Sequence, residues 1–189
     1  MTKPDLPTID TLHKLLRYEP KTGKLFWRKR DVAFFTDGKQ AADHNAFAWN
    51  NRHAGNEALT SDSCKNYLCG RIFRKHYFAH RVIWAIAYDK WPTDQIDHIN
   101  HDKKDNRIEN LREVTNQENH KNLPRSLNNT SGVTGVHWIK QTSKWRAQIC
   151  VEGSYKNLGY FIEKSEAITV RAAAELKYGF HKNHGEAAK

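Results

Sequence analysis

Residues 95–122 read QIDHINHDKKDNRIENLREVTNQENHKN, and most of the chemistry that this chain offers lies within them. Ile96 and Ile99 flank the adjacent polar residues Asp97 and His98. β-Branched residues beside a polar pair favour a short strand at the edge of a cleft. We therefore predict a strand that carries a carboxylate and an imidazole at its end.

The rest of this stretch predicts a loop, a second strand and a helix. Residues 101–106 contain no apolar side chain and are typical of a solvated loop. Residues 111–115 alternate apolar and polar side chains, as a half-buried strand does. Thr115 and Glu118 have the spacing of a capping box, in which each side chain bonds the other's backbone N–H. The box predicts a helix start and places Asn119 about one turn in, at the end nearest the strands.

Three of these residues suggest hydrolytic chemistry. Asp97 is a hard oxygen ligand of the kind that Mg²⁺ or Mn²⁺ prefers. A histidine such as His98 is largely neutral near pH 7, so it can take a proton from water. Asn119 can offer an amide oxygen to the same cation. A divalent cation on a phosphodiester, with a base for the attacking water, is a minimal nuclease.

The stretch resembles the HNH motif of the ββα-metal endonucleases, in the form found in phage and intron-encoded homing enzymes. That motif combines a D-H pair, an N-L-R and an E-N, which here are Asp97-His98, Asn110-Leu111-Arg112 and Glu118-Asn119. The resemblance implies that His98 is the general base and that Asn110 braces the loop of the catalytic site. It also implies that Asp97 and Asn119 hold one divalent cation, Mg²⁺ or Mn²⁺.

Two ordinary interpretations compete with this one. An isolated Asp-His pair is usually a surface pair, and loop asparagines usually satisfy turns. Strict alternation along a strand would also point Asp97 and His98 to opposite faces, so we expect the strand to end or bend there. The whole constellation, at several fixed spacings, favours the nuclease site.

Composition limits the partners. The chain has 189 residues, a formal net charge of +10 and a pI near 9.5, which favours a polyanion, double-stranded DNA. No apolar run is long enough to cross a bilayer, and residues 1–7 do not read as a signal peptide. Three cysteines without framework spacing fit a reducing compartment and no disulfide-linked partner. We expect a cytoplasmic monomer, in a bacterial host cell if the gene belongs to a phage.

We predict an α+β protein with four segments. Residues 1–66 form an N-terminal region with a helix, a strand and irregular loops, and the least readable part, 31–63, is interpreted as loops and short turns. Residues 67–122 form the HNH core, which includes a hairpin and a helix over 79–88. Residues 123–132 form a linker, and residues 133–189 form a second domain.

The N-terminal half contains two further patterns. Residues 8–16 predict a short helix, and the turn over 19–23 followed by a strand over 24–27 resembles the opening of many phage HNH proteins. The residues Cys64, Cys69, His76 and His80 have ligand-like spacings. Because the gap between the two pairs is only six residues, structural zinc is disfavoured.

The last segment predicts three antiparallel strands and one helix capped by Ser165. Alternation along residues 145–151 should pack Trp145, Ala147, Ile149 and Val151 on the helix, with Arg146 and Gln148 on the other face. Arginine and glutamine are the side chains that read guanine and adenine edges. Residues 121–189 hold 11 lysines and arginines against five acidic residues, so this region is the more basic per residue.

This segment resembles the APETALA/ethylene-response-factor DNA-binding domain through G-V-x-W, K-W-R-A-Q-I and L-G-Y-F followed by an alanine-rich helix. The resemblance implies that a sheet face lies in the major groove. It implies DNA contacts from His137, Arg146, Gln148 and Asn157, to which we add Arg125 and Lys144. The face has fewer arginines than the plant domains, so base preferences do not transfer. A solvated face with ordinary salt bridges is the alternative.

Together these patterns predict a metal-dependent, homing-type HNH endonuclease that hydrolyses phosphodiester bonds and reads its site with the C-terminal sheet. The competing prediction is a DNA-binding regulator that does not cut. Intact Asp97, His98 and Asn119 favour the enzyme.

Overall fold

The computed structural model describes residues 6–63 and 65–187, and the chain divides into two compact units. The first comprises Met1–His98 and Lys103–Glu113, and the second comprises Ile99–Asp102 and Val114–Lys189. Each unit combines helices with small sheets, which confirms the α+β class. Among the described residues, no helix is long and apolar enough to span a bilayer.

The first unit opens with a helix and a three-stranded antiparallel sheet in the order β1-β2-β3. Their bounds are α1 Ile9–Leu15, β1 Leu16–Glu19, β2 Lys24–Trp27 and β3 Glu57–Ala58. The Thr8 side chain caps α1 by accepting a hydrogen bond from the Thr11 N–H at 3.2 Å. Because Leu12 and Leu15 lie on one side of α1, both are fully buried.

The prediction of loops throughout residues 31–63 is wrong. This region contains a 3₁₀ turn, Val32–Phe34, and a twelve-residue helix, α2, Ala42–His53. Only Ala46 of α2 is buried, so the helix has no continuous apolar stripe that a sequence pattern could reveal. Trp49 instead packs edge-on against Trp27, with ring centroids 5.6 Å apart. Contact with a distant aromatic side chain therefore stabilises this helix.

A second antiparallel sheet in the order β4-β5-β6 leads into a buried helix. The elements are β4 Ser61–Asp62, β5 Leu68–Ile72, β6 Lys75–Phe78 and α3 Ala79–Tyr88. The helix has the predicted bounds. The hairpin turns at Phe73 and Arg74, and both residues have a positive φ.

One apolar core holds the first unit together. It consists of buried side chains from α1, the first two sheets, α3 and the motif strands: Leu12, Leu15, Leu16, Leu25, Ala58, Leu59, Ile72, Ala79, Val82, Ile83, Trp84, Ala85, Ile96 and Leu111. Burying one large aliphatic side chain stabilises a fold by about 1.5–3 kcal/mol. Because Ile96 and Leu111 belong to this core, the two motif strands are anchored by it.

The motif itself forms the predicted strand–loop–strand–helix. The strands β7 (Gln95–His98) and β8 (Leu111–Val114) pair in a two-stranded sheet, and α4 (Asn116–His120) follows. Both halves of the capping box between Thr115 and Glu118 are present, which confirms that prediction.

The predicted solvated loop over 101–106 is exposed only in part. Lys103 and Lys104 are exposed, but His101 and Asn106 at the two ends are buried. Burial of these polar side chains is tolerated because each is hydrogen-bonded: His101 Nε2 lies 3.2 Å from Asn122 Oδ1, and Asn106 bonds His98.

The second unit contains the predicted three-stranded antiparallel sheet and helix. Its sheet has the order β11-β10-β9, and the elements are β9 Val136–Ile139, β10 Lys144–Val151, β11 Ser154–Phe161 and α5 Lys164–Lys177. The buried side chains Ala147 and Ile149 of β10 pack with Ala167 and Ala174 of α5 in two small apolar clusters. The predicted Ser165 cap is wrong, because α5 begins at Lys164 with no side-chain cap.

The segment 123–132, predicted as a linker, contains no helix or strand but is hydrogen-bonded to the end of the chain. The Leu123 carbonyl accepts from the Gly185 N–H at 2.9 Å, and the Arg125 N–H donates to the Glu186 carbonyl at 2.7 Å. These bonds tie the segment to the C-terminal tail within the second unit.

Arg171 of α5 connects that helix to the tail. Its side chain is 3% exposed, and its guanidinium contacts the Glu175 carboxylate at 3.1 Å and the Thr134 carbonyl at 3.0 Å. It also lies 3.4 Å from the His184 ring nitrogen. Burial raises the pKa of Glu175 and lowers the pKa of His184 to about 4, so at neutral pH His184 is uncharged.

We expect Arg171→Met to destabilise the second unit by about 3 kcal/mol, because a half-buried carboxylate loses its partner while the side-chain volume is kept. Hydrogen exchange of the β10 amides reports the free energy of opening this unit by itself. Lys182→Met, at an exposed position of the tail, is the control. Equal exchange rates in the two variants would contradict a stabilising role of Arg171.

Candidate functional site

Asp97 lies in β7 and is bound by an arginine of the neighbouring strand. Arg112 Nε and Nη2 both donate to Asp97 Oδ2, at 3.0 and 2.8 Å. Ile96 and His98 are buried while Asp97 is partly exposed, so the alternation of the strand continues to its last residue. The strand ends at His98, as expected, and the two polar side chains have different partners.

His98 is 3% exposed and packs among aromatic rings. Its ring centroid is 5.2 Å from that of His80 and 5.7 Å from that of Tyr67. Its Nε2 lies 3.0 Å from Asn106 Oδ1. Because an amide oxygen only accepts hydrogen bonds, Nε2 carries the proton and Nδ1 is the basic nitrogen of the neutral ring.

His80 and Tyr67 are uncharged neighbours of His98 at neutral pH. Burial, followed by the proximity of His98 and Arg81, lowers the pKa of His80 to about 3. Burial and the nearby Asp97 charge raise the pKa of Tyr67. His98 is therefore surrounded by neutral rings, which limit water access and restrict its orientation.

The loop between the two motif strands is braced by its own polar groups. Asn110 Nδ2 donates to the Asp105 carbonyl at 2.8 Å, and Arg107 forms a two-pronged pair with the Asp105 carboxylate at 2.8 and 2.7 Å. These contacts hold the segment that carries Asn106. Asn110 thus contacts the loop between the two motif strands.

The N-terminal hairpin also contacts this loop. The Tyr18 hydroxyl donates to the Asn106 carbonyl at 3.2 Å and accepts from the Ile108 N–H at 2.9 Å. Gly23 has a φ of 73°, and a Cβ there would lie 2.6 Å from the Arg107 nitrogen. Only glycine allows this close approach. The turn over 19–23 therefore supports the loop that positions Asn106.

Hydrogen bonds from α3 and β8 also fix the segment that leads into β7. Arg81 of α3 donates to the Pro92 and Asp94 carbonyls at 3.0 and 2.8 Å. The Glu113 carboxylate accepts from the Thr93 hydroxyl at 3.0 Å and from the Asp94 N–H at 2.9 Å. The first motif strand is thus held at its start by α3 and β8.

Asp97 and Asn119 are the two residues that would hold a divalent cation. Asp97 supplies one carboxylate, and part of its charge is neutralised by Arg112. Asn119 is half-buried in the first turn of α4, in the second unit. Within the described chain, no three His, Cys, Asp or Glu side chains cluster as a metal site would require. A carboxylate and an amide oxygen still fit Mg²⁺, which keeps several waters and takes few protein ligands.

Of the four residues with zinc-like spacing, the three that the structure describes have different surroundings. Cys64 lies outside the described residues. His76 Nε2 accepts from Arg71 Nε at 2.9 Å, whereas His80 packs against His98. Cys69 is a buried free thiol.

The predicted DNA-reading residues of the second unit lie on or near one sheet. Arg146 is opposite His137 in the register of β9 and β10, and Gln148 is opposite Asn157 in β11. Gln148 Nε2 lies 3.3 Å from His137 Nε2. Ala147 and Ile149 are buried, so the alternation predicted for β10 is confirmed.

The other two predicted DNA contacts, Lys144 and Arg125, differ in exposure and in hydrogen bonding. Lys144 begins β10 and is exposed. Arg125 is half-buried and donates to the Gly132 carbonyl at 2.6 Å, so its guanidinium already has a partner in the segment 123–132.

Sequence reasoning missed three residues that contact the site. Asn106 bonds His98, Tyr67 packs on it, and Tyr18 holds the loop. An asparagine in a charged loop and tyrosines far from the motif give no local signal for these roles.

Comparison with known proteins indicates a nuclease domain. Residues 77–121 match the family model described as HNH endonuclease. The chain is 33% identical over 79 residues to "Protein 3.8" of Escherichia phage T7, an alignment that covers 41% of this chain and 65% of that protein. The chain thus spans less than two thirds of that relative. No solved structure matches the chain.

Proposed function

We propose that this protein is a metal-dependent HNH endonuclease that hydrolyses phosphodiester bonds of double-stranded DNA. The observation that carries the proposal is the match of residues 77–121 to the HNH endonuclease model, with Asp97 and His98 at the end of the strand β7 within it. The net charge of +10 favours DNA as the substrate.

In this proposal His98 is the general base. The Asn106 bond sets the tautomer that makes Nδ1 the basic nitrogen, and Tyr67 and His80 keep the ring in one orientation. The neutral form of an imidazole is the one that can take a proton from water. Asn110 acts indirectly, because its bond to the Asp105 carbonyl holds the loop that contains Asn106.

Asp97 and Asn119 would hold the divalent cation, Mg²⁺ or Mn²⁺, and the assignment of Asn119 rests on the sequence motif. When bound, the cation would supply charge stabilisation to the phosphate and to the leaving 3′ oxygen. Arg112 holds the Asp97 carboxylate in place through two hydrogen bonds. It is also a cation close to the proposed site, where it can balance negative charge.

Cleavage of supercoiled plasmid tests the proposed activity. Incubation with Mg²⁺ should convert the plasmid to nicked or linear DNA, and EDTA should stop the conversion because the cation is removed. The same assay separates nicking from double-strand cutting. If plasmid is bound but left intact with Mg²⁺ and with Mn²⁺, the alternative, a DNA-binding regulator without catalysis, is supported instead.

For the second unit we propose that the face of β9–β11 opposite α5 reads DNA. His137, Arg146, Gln148 and Asn157 are adjacent in its register, with Lys144 at the edge and Arg125 as a backbone contact. Arginine and glutamine can each make two hydrogen bonds to one base.

We expect Arg146→Ala to weaken binding to the preferred site about tenfold or to broaden the selected sequences, because one bidentate base contact is worth about 1–3 kcal/mol. Cleavage at saturating DNA should keep its metal requirement. Selection from a random DNA library measures the effect, and Lys140→Ala, at an exposed position beyond β9, is the control. If Arg146→Ala selected the same sequences as the control with equal affinity, the sheet would not be the reader.

A further inference from the structure

A cleft of about 290 Å³ lies in the first unit, in residues that precede the segment matched to the HNH model. It is lined by three arginines, Arg30, Arg71 and Arg74, and by aromatic side chains that include Trp27, Trp49 and Phe73. His53 completes the described lining, in which there is no aspartate or glutamate. The described part of the cleft therefore places three positive charges beside aromatic rings.

Arg30 lies over three of the aromatic rings that line this cleft. Its guanidinium carbon lies 3.7 Å from the centroid of the Trp49 ring, 4.8 Å from that of Trp27 and 5.8 Å from that of Phe73. The Asn50 side chain fixes the backbone of Arg30, since Oδ1 accepts from its N–H at 2.8 Å and Nδ2 donates to its carbonyl at 3.0 Å. The position of the guanidinium is thus defined by both its backbone and its ring contacts.

Among the residues that the structure describes, the charge of Arg30 has no carboxylate partner. Within residues 6–63 and 65–187, none of the three arginines of the cleft pairs with a carboxylate, and the buried Arg30 Nε has no hydrogen-bond partner. Burial lowers the pKa of Arg30 to about 10, so the group remains charged at neutral pH while being partly removed from water. A buried donor without a partner is destabilising, and an anion would relieve that cost.

The hairpin turn completes the cleft at the cost of backbone strain. Phe73 and Arg74 have φ values of 48° and 66°, a conformation in which glycine and asparagine are preferred. Phe73 is nevertheless 46% exposed and stacks on Phe34 at 6.0 Å. The turn therefore presents an exposed ring and a cation at the cleft in a backbone conformation that is unfavourable for these residue types.

We propose that this cleft binds a phosphodiester of the DNA strand, with Arg30 and Arg74 on the phosphate and Phe73 against the adjoining sugar or base. Arginine forms charge-assisted, two-pronged bonds with phosphate, and an exposed aromatic ring adds stacking. The volume is at the lower end of that of small-ligand sites, which start near 300 Å³, so it suits a single nucleotide unit. The proposal rests on DNA being the substrate, and it adds a contact outside the segment 77–121.

Binding of the full chain to a fluorescent duplex, with salt titration, tests this site. Arg30→Met keeps the packing on Trp49, and Arg74→Ala changes an exposed position, so the second variant is informative even if the first folds poorly. Each should weaken binding about tenfold and lower the slope of log K against log salt by about one, as expected for the loss of one phosphate contact. Lys29→Ala removes the same charge at an exposed neighbouring position that does not line the cleft, and it should change binding less than twofold.

The source of the phosphate is tested by nuclear magnetic resonance. The Nε–H signal of Arg30 and the indole signals of Trp27 and Trp49 should shift with a short oligonucleotide, but not with the same concentration of inorganic phosphate. Equal shifts with both would overturn the proposal in favour of a free-anion site. Equal DNA binding by Arg30→Met, Arg74→Ala and Lys29→Ala would overturn it as well.

These outcomes are separable from those of the cleavage assay. If the wild-type chain binds DNA through the cleft but leaves plasmid intact with Mg²⁺, the endonuclease proposal fails and the cleft proposal stands. If the wild-type chain cleaves plasmid and the cleft variants bind and cut as it does, the cleft proposal fails and the endonuclease proposal stands.

Discussion

His98→Ala is expected to lower the rate of DNA cleavage about a thousandfold while DNA affinity stays within about twofold. General base catalysis by a positioned side chain contributes about 10²–10⁴ in rate. The neighbouring His80 has a pKa of about 3, which makes it a poor replacement for His98 as the base. Single-turnover cleavage at saturating Mg²⁺ measures the effect.

The packing of His98 calls for a control of the fold. Removing its buried ring leaves a space beside Tyr67 and His80, so thermal unfolding of the variant should be recorded with its activity. His13→Ala, an exposed histidine of α1, is the matched control and should cut normally. A folded His98→Ala variant that cuts as His13→Ala does would remove His98 from the reaction.

The second large effect is expected at Asp97. Asp97→Asn keeps the size of the side chain but removes the carboxylate charge that a divalent cation requires. Cleavage should fall about a thousandfold, because metal-ion stabilisation of the transition state is worth several kcal/mol. Mn²⁺ binding, measured by calorimetry, should weaken in parallel, and added Mn²⁺ should recover part of the activity.

Asp94→Asn, which changes an exposed aspartate just before β7, is the control for Asp97→Asn. Arg112 loses its ionic partner only in the Asp97 variant, so a change in folding stability is also expected there. If Asp97→Asn bound Mn²⁺ and cut DNA as Asp94→Asn does, Asp97 would not be a metal ligand and the cation would have to be sought elsewhere.

Local sequence patterns were sufficient to predict those helices and strands that are specified by their own residues. The capping box at Thr115 and Glu118, the apolar helix α3 and the alternating strand β10 were all predicted at or near their observed bounds. Each depends on side chains a few residues apart, which contact one another as soon as the element forms. The HNH motif was recognisable for the same reason, because its letters lie within one short stretch.

Helix α2 and the surroundings of His98 could not be predicted in this way. Trp49 is held by Trp27 and Arg30 from another part of the chain, and α2 has no apolar stripe of its own. Asn106 reads as part of a solvated loop, yet it is 1% exposed and bonds His98. Tyr18 contacts the loop across 88 residues of sequence.

The sequence by itself determined the fold class, the residues of the motif and the basic character that favours DNA. Only the tertiary structure decided which neighbours His98 has, which tautomer its ring adopts and where uncompensated arginines gather. The reason is physical: helix and strand periods report which face of an element is buried, but not which distant side chain covers it. Tyr18 and Arg30 contact the loop and the Trp49 ring, respectively, only when the core of the first unit has formed.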